Sequence, residues 1–276
     1  MKEEKLIENK RYGTAVIIKK NTKPQMRLLV GIPTTGSVRI EWMCARYGQV
    51  IPCNWSSADF MSFVDQISPV NFLVADAQNL IVKHFIEGGF EWLLFIEHDN
   101  CIPPDFFIRM NEYMINGRIP VVGGLYFTKS VPSEPLVYRG RGNGHFRKWK
   151  LGDKIWVDGL GMGTTLIHRS ILETMYQESE EYPIAGGTVR KVFETPARVF
   201  IDPETGGIST GSGTSDLAWC TRVMDDGIFK KAGWPKYQKK QFPFLIDTKI
   251  FSWHIDPDGN RYPMRGEHLA FVRRKK

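Results

Sequence analysis

The sequence predicts an α/β fold, built as a single domain with a mainly parallel central sheet and a smaller antiparallel part. Three observations carry that prediction. Short continuous apolar runs, Leu28-Leu29-Val30-Gly31-Ile32, Trp92-Leu93-Leu94-Phe95-Ile96 and Val121-Val122-Gly123-Gly124, have the character of strands buried on both faces. Helical apolar spacing fills the stretch between the last two runs and the stretch before them, and such alternation implies parallel crossovers. Beyond residue 136 the pattern changes to alternation with many glycines, which reads as hairpins.

The elements follow in order. Residues 1–26 read as a peripheral segment in which 14–18 form a short strand with lysine-rich flanks. The run at 28–32 stops at Pro33-Thr34-Thr35-Gly36, a hydroxyl-bearing turn. A second strand is expected over 71–74. A helix follows over 76–87, because Ala77, Leu80, Ile81, His84 and Phe85 share one helical face; Gly88-Gly89 ends it. That spacing puts His84 on the buried face. After the 92–96 strand, Pro103-Pro104 opens a helix carrying Phe106, Phe107, Met110 and Met114. Antiparallel strands are expected over 136–168, and the Gly-, Ser-, Thr- and Pro-rich stretch 179–215 reads as long loops over a site. Its part from 203 to 214 has few apolar anchors and is expected to be mobile without substrate. A helix over 215–226 and a last strand over 249–253 complete the domain, taken as 27–256, and 257–276 reads as a basic tail.

A chain of 276 residues is ample for one large core. Cys44, Cys53, Cys101 and Cys220 form no C-x-x-C pair, which argues against a structural zinc site and fits a reducing compartment. Met1 to Lys10 is charged and lacks the apolar stretch of a signal peptide, and no run approaches a membrane span. These features point to the cytoplasm. The net charge of +7 suits a polyanionic or phosphorylated partner. Part of it lies in Lys19-Lys20 and Arg273-Arg274-Lys275-Lys276, runs that read first as solvated tails and leave open a peripheral contact with the inner membrane surface.

The chemistry starts at Glu97-His98-Asp99, directly after a buried strand. Ligands collect at the carboxyl ends of parallel strands. Two carboxylates at i and i+2 there suit a hard divalent cation, Mn²⁺ or Mg²⁺, which takes oxygen ligands and completes its shell with water and phosphate. The same residues also suit a plain turn and helix cap. His98 is expected to point away from the ion by strand alternation. His254 sits between Trp253 and Ile255 and reads either as a core histidine or as a ligand. Asp216 lies at a helix start, where it reads either as a cap or as a base. There is no G-x-x-x-x-G-K-[ST] phosphate loop, and Gly159-x-Gly161-x-Gly163 has the wrong spacing for a dinucleotide fingerprint.

Taken together, these segments resemble the GT-A glycosyltransferases, especially the family 2 group and its relatives, over residues 28–256. Leu94 to Asn100 followed by Pro103-Pro104-Asp105 is similar to that group's D-x-D segment and the helix after it. Ile32-Pro33-Thr34-Thr35 resembles its nucleotide-facing strand end, and the helix holding Asp76 and Asn79 resembles the one that approaches the nucleotide. Val157 to Gly163 resembles its acceptor-side glycine segment, Thr214-Ser215-Asp216 its catalytic acid segment, and 246–254 its closing strand with a metal-binding histidine. Two positions depart: Glu97 stands where the family has Asp, and Ser215-Asp216 leaves one carboxylate of a pair.

The resemblance implies a transferase that moves a sugar from a nucleotide-diphospho-sugar to a saccharide, lipid-linked or other hydroxyl acceptor. It implies donor contacts at Pro33, Thr34, Thr35, Asp76, Asn79, Glu97, His98, Asp99, Asp158 and Gly159, and an Mn²⁺ or Mg²⁺ ion on Glu97, Asp99 and His254. Asp216 is then the base if the reaction inverts configuration, or a positioning group if it retains it. Asp99 and His254 are expected to meet at one site despite their separation in sequence. A nucleotidyltransferase is an alternative, but the turn after the first strand is short and uncharged for that chemistry. A non-catalytic nucleic-acid-binding module is suggested by charge alone, so a nucleic-acid partner is not expected.

Overall fold

The computed structural model describes residues 4–9, 14–19, 27–49, 63–140, 144–201 and 208–267, with backbone alone for 4–9, 14–19, 63–64, 198–201 and 208–212. Seven strands form the central sheet: β1 (Arg27–Gly31), β2 (Phe63–Ile67), β3 (Trp92–Ile96), β4 (Val121–Leu125), β5 (Lys154–Val157), β6 (Thr164–His168) and β7 (Phe244–Phe251). Their spatial order is β2-β1-β3-β6-β4-β7-β5. The β2–β1, β1–β3 and β7–β4 pairs are parallel, whereas β6 runs antiparallel to both β3 and β4, and β5 antiparallel to β7. The expected fold class, α/β with a mainly parallel sheet and smaller antiparallel pieces, is the one observed.

The apolar runs fill both faces of this sheet, as continuous hydrophobicity requires. Leu29, Leu93, Phe95 and Ile167 point to one face, where they meet helices α2 (Val74–Glu87), α4 (Arg169–Glu178) and α5 (Ser215–Asp225). Leu28, Val30, Leu94, Ile96 and Leu166 point to the other, against Trp42 of α1 (Ile40–Tyr47) and Phe106, Phe107, Met110 and Met114 of α3 (Phe106–Asn116). Phe95 has no exposed surface and sits edge-on to Phe193, 5.6 Å away. Removing a ring from such a position costs about 3–5 kcal/mol.

Four expectations are corrected. The second strand is Phe63–Ile67, not 71–74. Asn71 is left-handed at φ 63°, and Phe72, Leu73 and Val74 are exposed; a short apolar run does not by itself distinguish a strand from a turn into a helix. Helix α2 buries Gln78, Asn79 and Val82 beside Ala77, Ile81 and Phe85, and its His84 is exposed. The stretch 179–215 holds two hairpins, Glu181–Ile184 with Gly187–Arg190 and Ala197–Ile201 with Ile208–Ser212. Of the segment expected to be mobile, 203–207 lie outside the described residues. The last long strand begins at Phe244, because Leu245 and Ile246 are core residues.

At the N-terminus, Thr14–Lys19 pairs with Glu4–Asn9 as a separate hairpin. Past residue 256, Arg261–Tyr262 pairs with Trp253–Ile255, and Ser133 Oγ donates to Glu267 at 2.6 Å, so 257–267 pack onto the body. Residues 268–276, with the terminal basic run, lie outside the described residues. No helix among the described residues is long and apolar enough to cross a membrane.

Candidate active site

Most of the segments singled out for chemistry reach one rim of the sheet; the helix stretch holding Asp76 and Asn79 does not. The carboxyl ends of β1, β3 and β4 deliver Pro33–Thr35, Glu97–Asp99 and Tyr126–Lys129. Because β6 is reversed, the glycines before it, Gly161 and Gly163, arrive at that rim as well. After β7 the chain forms Trp253–Ile255, which pairs antiparallel with Asn100–Cys101 so that His254 lies opposite Asn100. The amide of Ile255 donates to the Asp99 carbonyl at 2.8 Å. A backbone ladder therefore brings residues 99 and 254 together.

A cavity of about 460 Å³ opens at this rim, within the range of small-molecule sites. Pro33, Thr34, Thr35, Glu97, His98, Asp99, Asp216 and His254 all line it. One ligand atom from each of Glu97, Asp99 and His254 lies within 4.8 Å of the others. His254 Nε2 faces Asp99 Oδ2 at 3.3 Å, and its Nδ1 lies 2.7 Å from the Phe127 carbonyl. A carbonyl only accepts, so Nδ1 carries the proton and the lone pair of the neutral ring is on Nε2. Two acceptors then face each other, an arrangement that needs a cation or a second proton between them. Asp99 Oδ1 is buried without a partner. An oxygen, oxygen, nitrogen set with its histidine oriented by a carbonyl fits a divalent ion.

The carboxylates differ in environment. Burial, with Asp216 and Asp99 nearby, pushes Glu97 well above the usual carboxylate range, and Lys129 only partly offsets this. Burial also works on Asp99, but His254, when its ring is protonated and donates, and Lys129 outweigh it and hold Asp99 below its ordinary value. The Lys129 ammonium pairs directly with Asp99 Oδ2. Asp216 is raised by burial, despite accepting hydrogen bonds from Met162 N at 3.0 Å, Gln78 Nε2 at 3.4 Å and Ser215 Oγ at 3.3 Å. The cap of α5 is Thr214, whose hydroxyl accepts from Leu217 N, so Asp216 is not needed as the cap and turns to the cavity.

Other expected residues lie elsewhere. Asn79 is buried and used up: Nδ2 donates to Tyr182 Oη and the Phe193 carbonyl, and Oδ1 accepts from Phe193 N. Asp76 accepts from Tyr182 Oη at 2.7 Å and does not line the cavity. Asp158 accepts from Gly140 N and faces a different recess with Lys239 and Lys240. Gly159 is a packing glycine, since a Cβ there would lie 2.8 Å from Leu217 Cδ2. His98 lines the cavity outside the ligand cluster, with Nδ1 3.1 Å from the Pro33 carbonyl.

Sequence reasoning missed Gln78, Tyr126 and Lys129. Tyr126 is buried, and its Oη accepts from Gly163 N at 2.9 Å; burial and the neighbouring carboxylates raise it, so it stays protonated. A Cβ at Gly161 would come within 2.1 Å of that oxygen, and one at Gly163 within 2.3 Å of Asn100 Nδ2 and 2.7 Å of Glu97 Oε2. The clustered glycines were the available signal that something large had to fit beside them.

The mainly parallel sheet with one reversed strand near its middle, with an acidic cluster at its strand ends, is consistent with a single GT-A-like domain. No family model matches the chain, and no curated protein sequence does. Among solved structures it is similar to A197 from STIV, at TM-score 0.48 and 20% identity over 91% of this chain and 98% of that one. It is similar to TarS 1-349 of S. aureus at TM-score 0.33 and 12% identity, over 54% of this chain and 48% of that chain. It is also similar to a glycosyltransferase involved in the glycosylation of the major capsid of PBCV-1, at TM-score 0.26 and 10% identity, over 53% of this chain and 62% of that chain.

Proposed function

We propose that the protein is a metal-dependent glycosyltransferase that moves a sugar from a nucleotide-diphospho-sugar to an acceptor hydroxyl. One observation carries the reading: Glu97, Asp99 and His254 line the same cavity as Asp216, with Pro33, Thr34 and Thr35 on its wall. The first three would hold Mn²⁺ or Mg²⁺, and such an ion, when bound, neutralises charge developing on a leaving diphosphate. Thr34 and Thr35 offer hydroxyls to the nucleoside at the end of β1. Asp216, raised by burial, is suited to take the acceptor's proton as that hydroxyl attacks the anomeric carbon with inversion. The acceptor would approach beside it, where Gly161 and Leu160 line the cavity.

The test is a screen of nucleotide-sugars against the full chain, with Mn²⁺ or with chelator, read as thermal stabilisation and slow donor hydrolysis. The expected result is one donor class that stabilises the protein and is hydrolysed only with metal. Stabilisation by no nucleotide-sugar, or hydrolysis indifferent to chelation, rejects the proposal.

A further inference from the structure

Lys129 has no role in the reading above, yet it occupies a central position. Glu97, Asp99 and Asp216 place three carboxylates around one cavity, and Lys129 is the only lysine or arginine among its described lining residues. Its ammonium is on Asp99 Oδ2, the same oxygen that His254 Nε2 faces at 3.3 Å. An ion coordinated by Asp99 Oδ2 and His254 would lie next to the ammonium, and like charges on one oxygen repel. Lys129 also lines an adjoining recess of about 260 Å³ with Thr35, Arg39 and His98. Its side chain is 31% exposed and ends on a flexible four-carbon stem, so it can leave Asp99 without unpacking a core.

We infer that Lys129 is a built-in counter-ion: it neutralises Asp99 while the cation position is empty, and it moves to the donor's diphosphate when the divalent ion enters. The inference rests on the site being a cation and diphosphate site. Lysine suits both duties, since its compact ammonium pairs with a carboxylate or a phosphate through the same donors. The exchange makes ion and diphosphate bind cooperatively. Each is disfavoured alone, the ion because the ammonium holds its ligand and the diphosphate because the ammonium is already paired.

The test uses the full chain as wild type, K129M and K129R. Mn²⁺ binding is followed by the electron paramagnetic resonance of free ion, and pyrophosphate binding by calorimetry in excess Mn²⁺. K129M is expected to bind Mn²⁺ alone more tightly, on the order of tenfold, and manganese pyrophosphate more weakly by a similar factor. K129R keeps the charge and should stay near wild type in both. Mn²⁺ affinity that is unchanged or weaker in K129M overturns the inference while leaving the metal site standing. Unchanged pyrophosphate affinity overturns the transfer of the ammonium. If none of the three proteins binds Mn²⁺, the inference falls together with the metal-site reading.

Discussion

Asp216 concentrates the functional proposal in one carboxylate, and one substitution tests it in two ways. Asp216→Asn keeps the shape but cannot take a proton, so donor binding should persist while transfer falls by about 10²–10⁴-fold. Gln78 can accommodate the amide by turning over, since its Oε1 has no partner. The second readout is stability against pH. The folded-state pKa of Asp216 is raised, so protonation favours the folded protein. That contribution is complete below the unfolded value and is lost as pH rises through the folded one. The asparagine variant has no such loss. Its stability relative to wild type, from urea unfolding, should therefore increase from about pH 4 upward and then level off. A difference independent of pH would place the carboxylate in an ordinary hydrated setting. The sequence singled out Asp99, His254 and Asp216 through the order and spacing of the segments that hold them, since each residue alone also suits a turn, a core position or a helix cap. It could not show that Asn79 is consumed by Tyr182 and Phe193, since that depends on which turn of α2 faces which neighbour.

At the scale of elements, that same asparagine locks α2 to the segment following the Glu181–Arg190 hairpin. Its amide satisfies both backbone groups of Phe193 in the buried interior. Asn79→Ala leaves those groups without partners and should cost about 1–3 kcal/mol, measured as a fall in the urea midpoint with an unchanged slope. Strands and helices with long uninterrupted patterns were readable: Trp92–Ile96 and α3 fall where the spacing put them. Phe63–Ile67 was not, because Asp65 and Gln66 interrupt its apolar pattern on an edge strand that pairs on one side with β1. The two hairpins in 179–215 were hidden by composition: Gly, Ser and Thr serve a short ladder as readily as a loop.

The whole molecule contributes to the site, which draws on chain positions 34, 97–99, 216 and 254. No shorter piece of sheet contains all of these, so ion binding is tied to global folding. Mn²⁺ at a hundred times its dissociation constant adds about 2.7 kcal/mol, which for a domain of this size raises the thermal midpoint by roughly 5–10 °C. Calorimetry with Mn²⁺ and then chelator checks this; Asp99→Asn and His254→Ala should each abolish most of the shift. A midpoint that ignores Mn²⁺ would remove the metal from the proposal.

Gly161 and Gly163 invert the usual relation between side chains and function. Most sites are defined by the groups they present, but here Tyr126, Asn100 and Glu97 hold their places because two carbon atoms are missing beside them. One added methyl would press on Tyr126 at either position, and at Gly163 also on Glu97 and Asn100. Tyr126 is only 2% exposed, and Glu97 hangs from the end of a central strand, so neither can step aside freely. The smallest chemical enlargement at these two places thus threatens both the shape of the chamber and the spacing of its acids, a vulnerability that no inventory of functional groups would reveal.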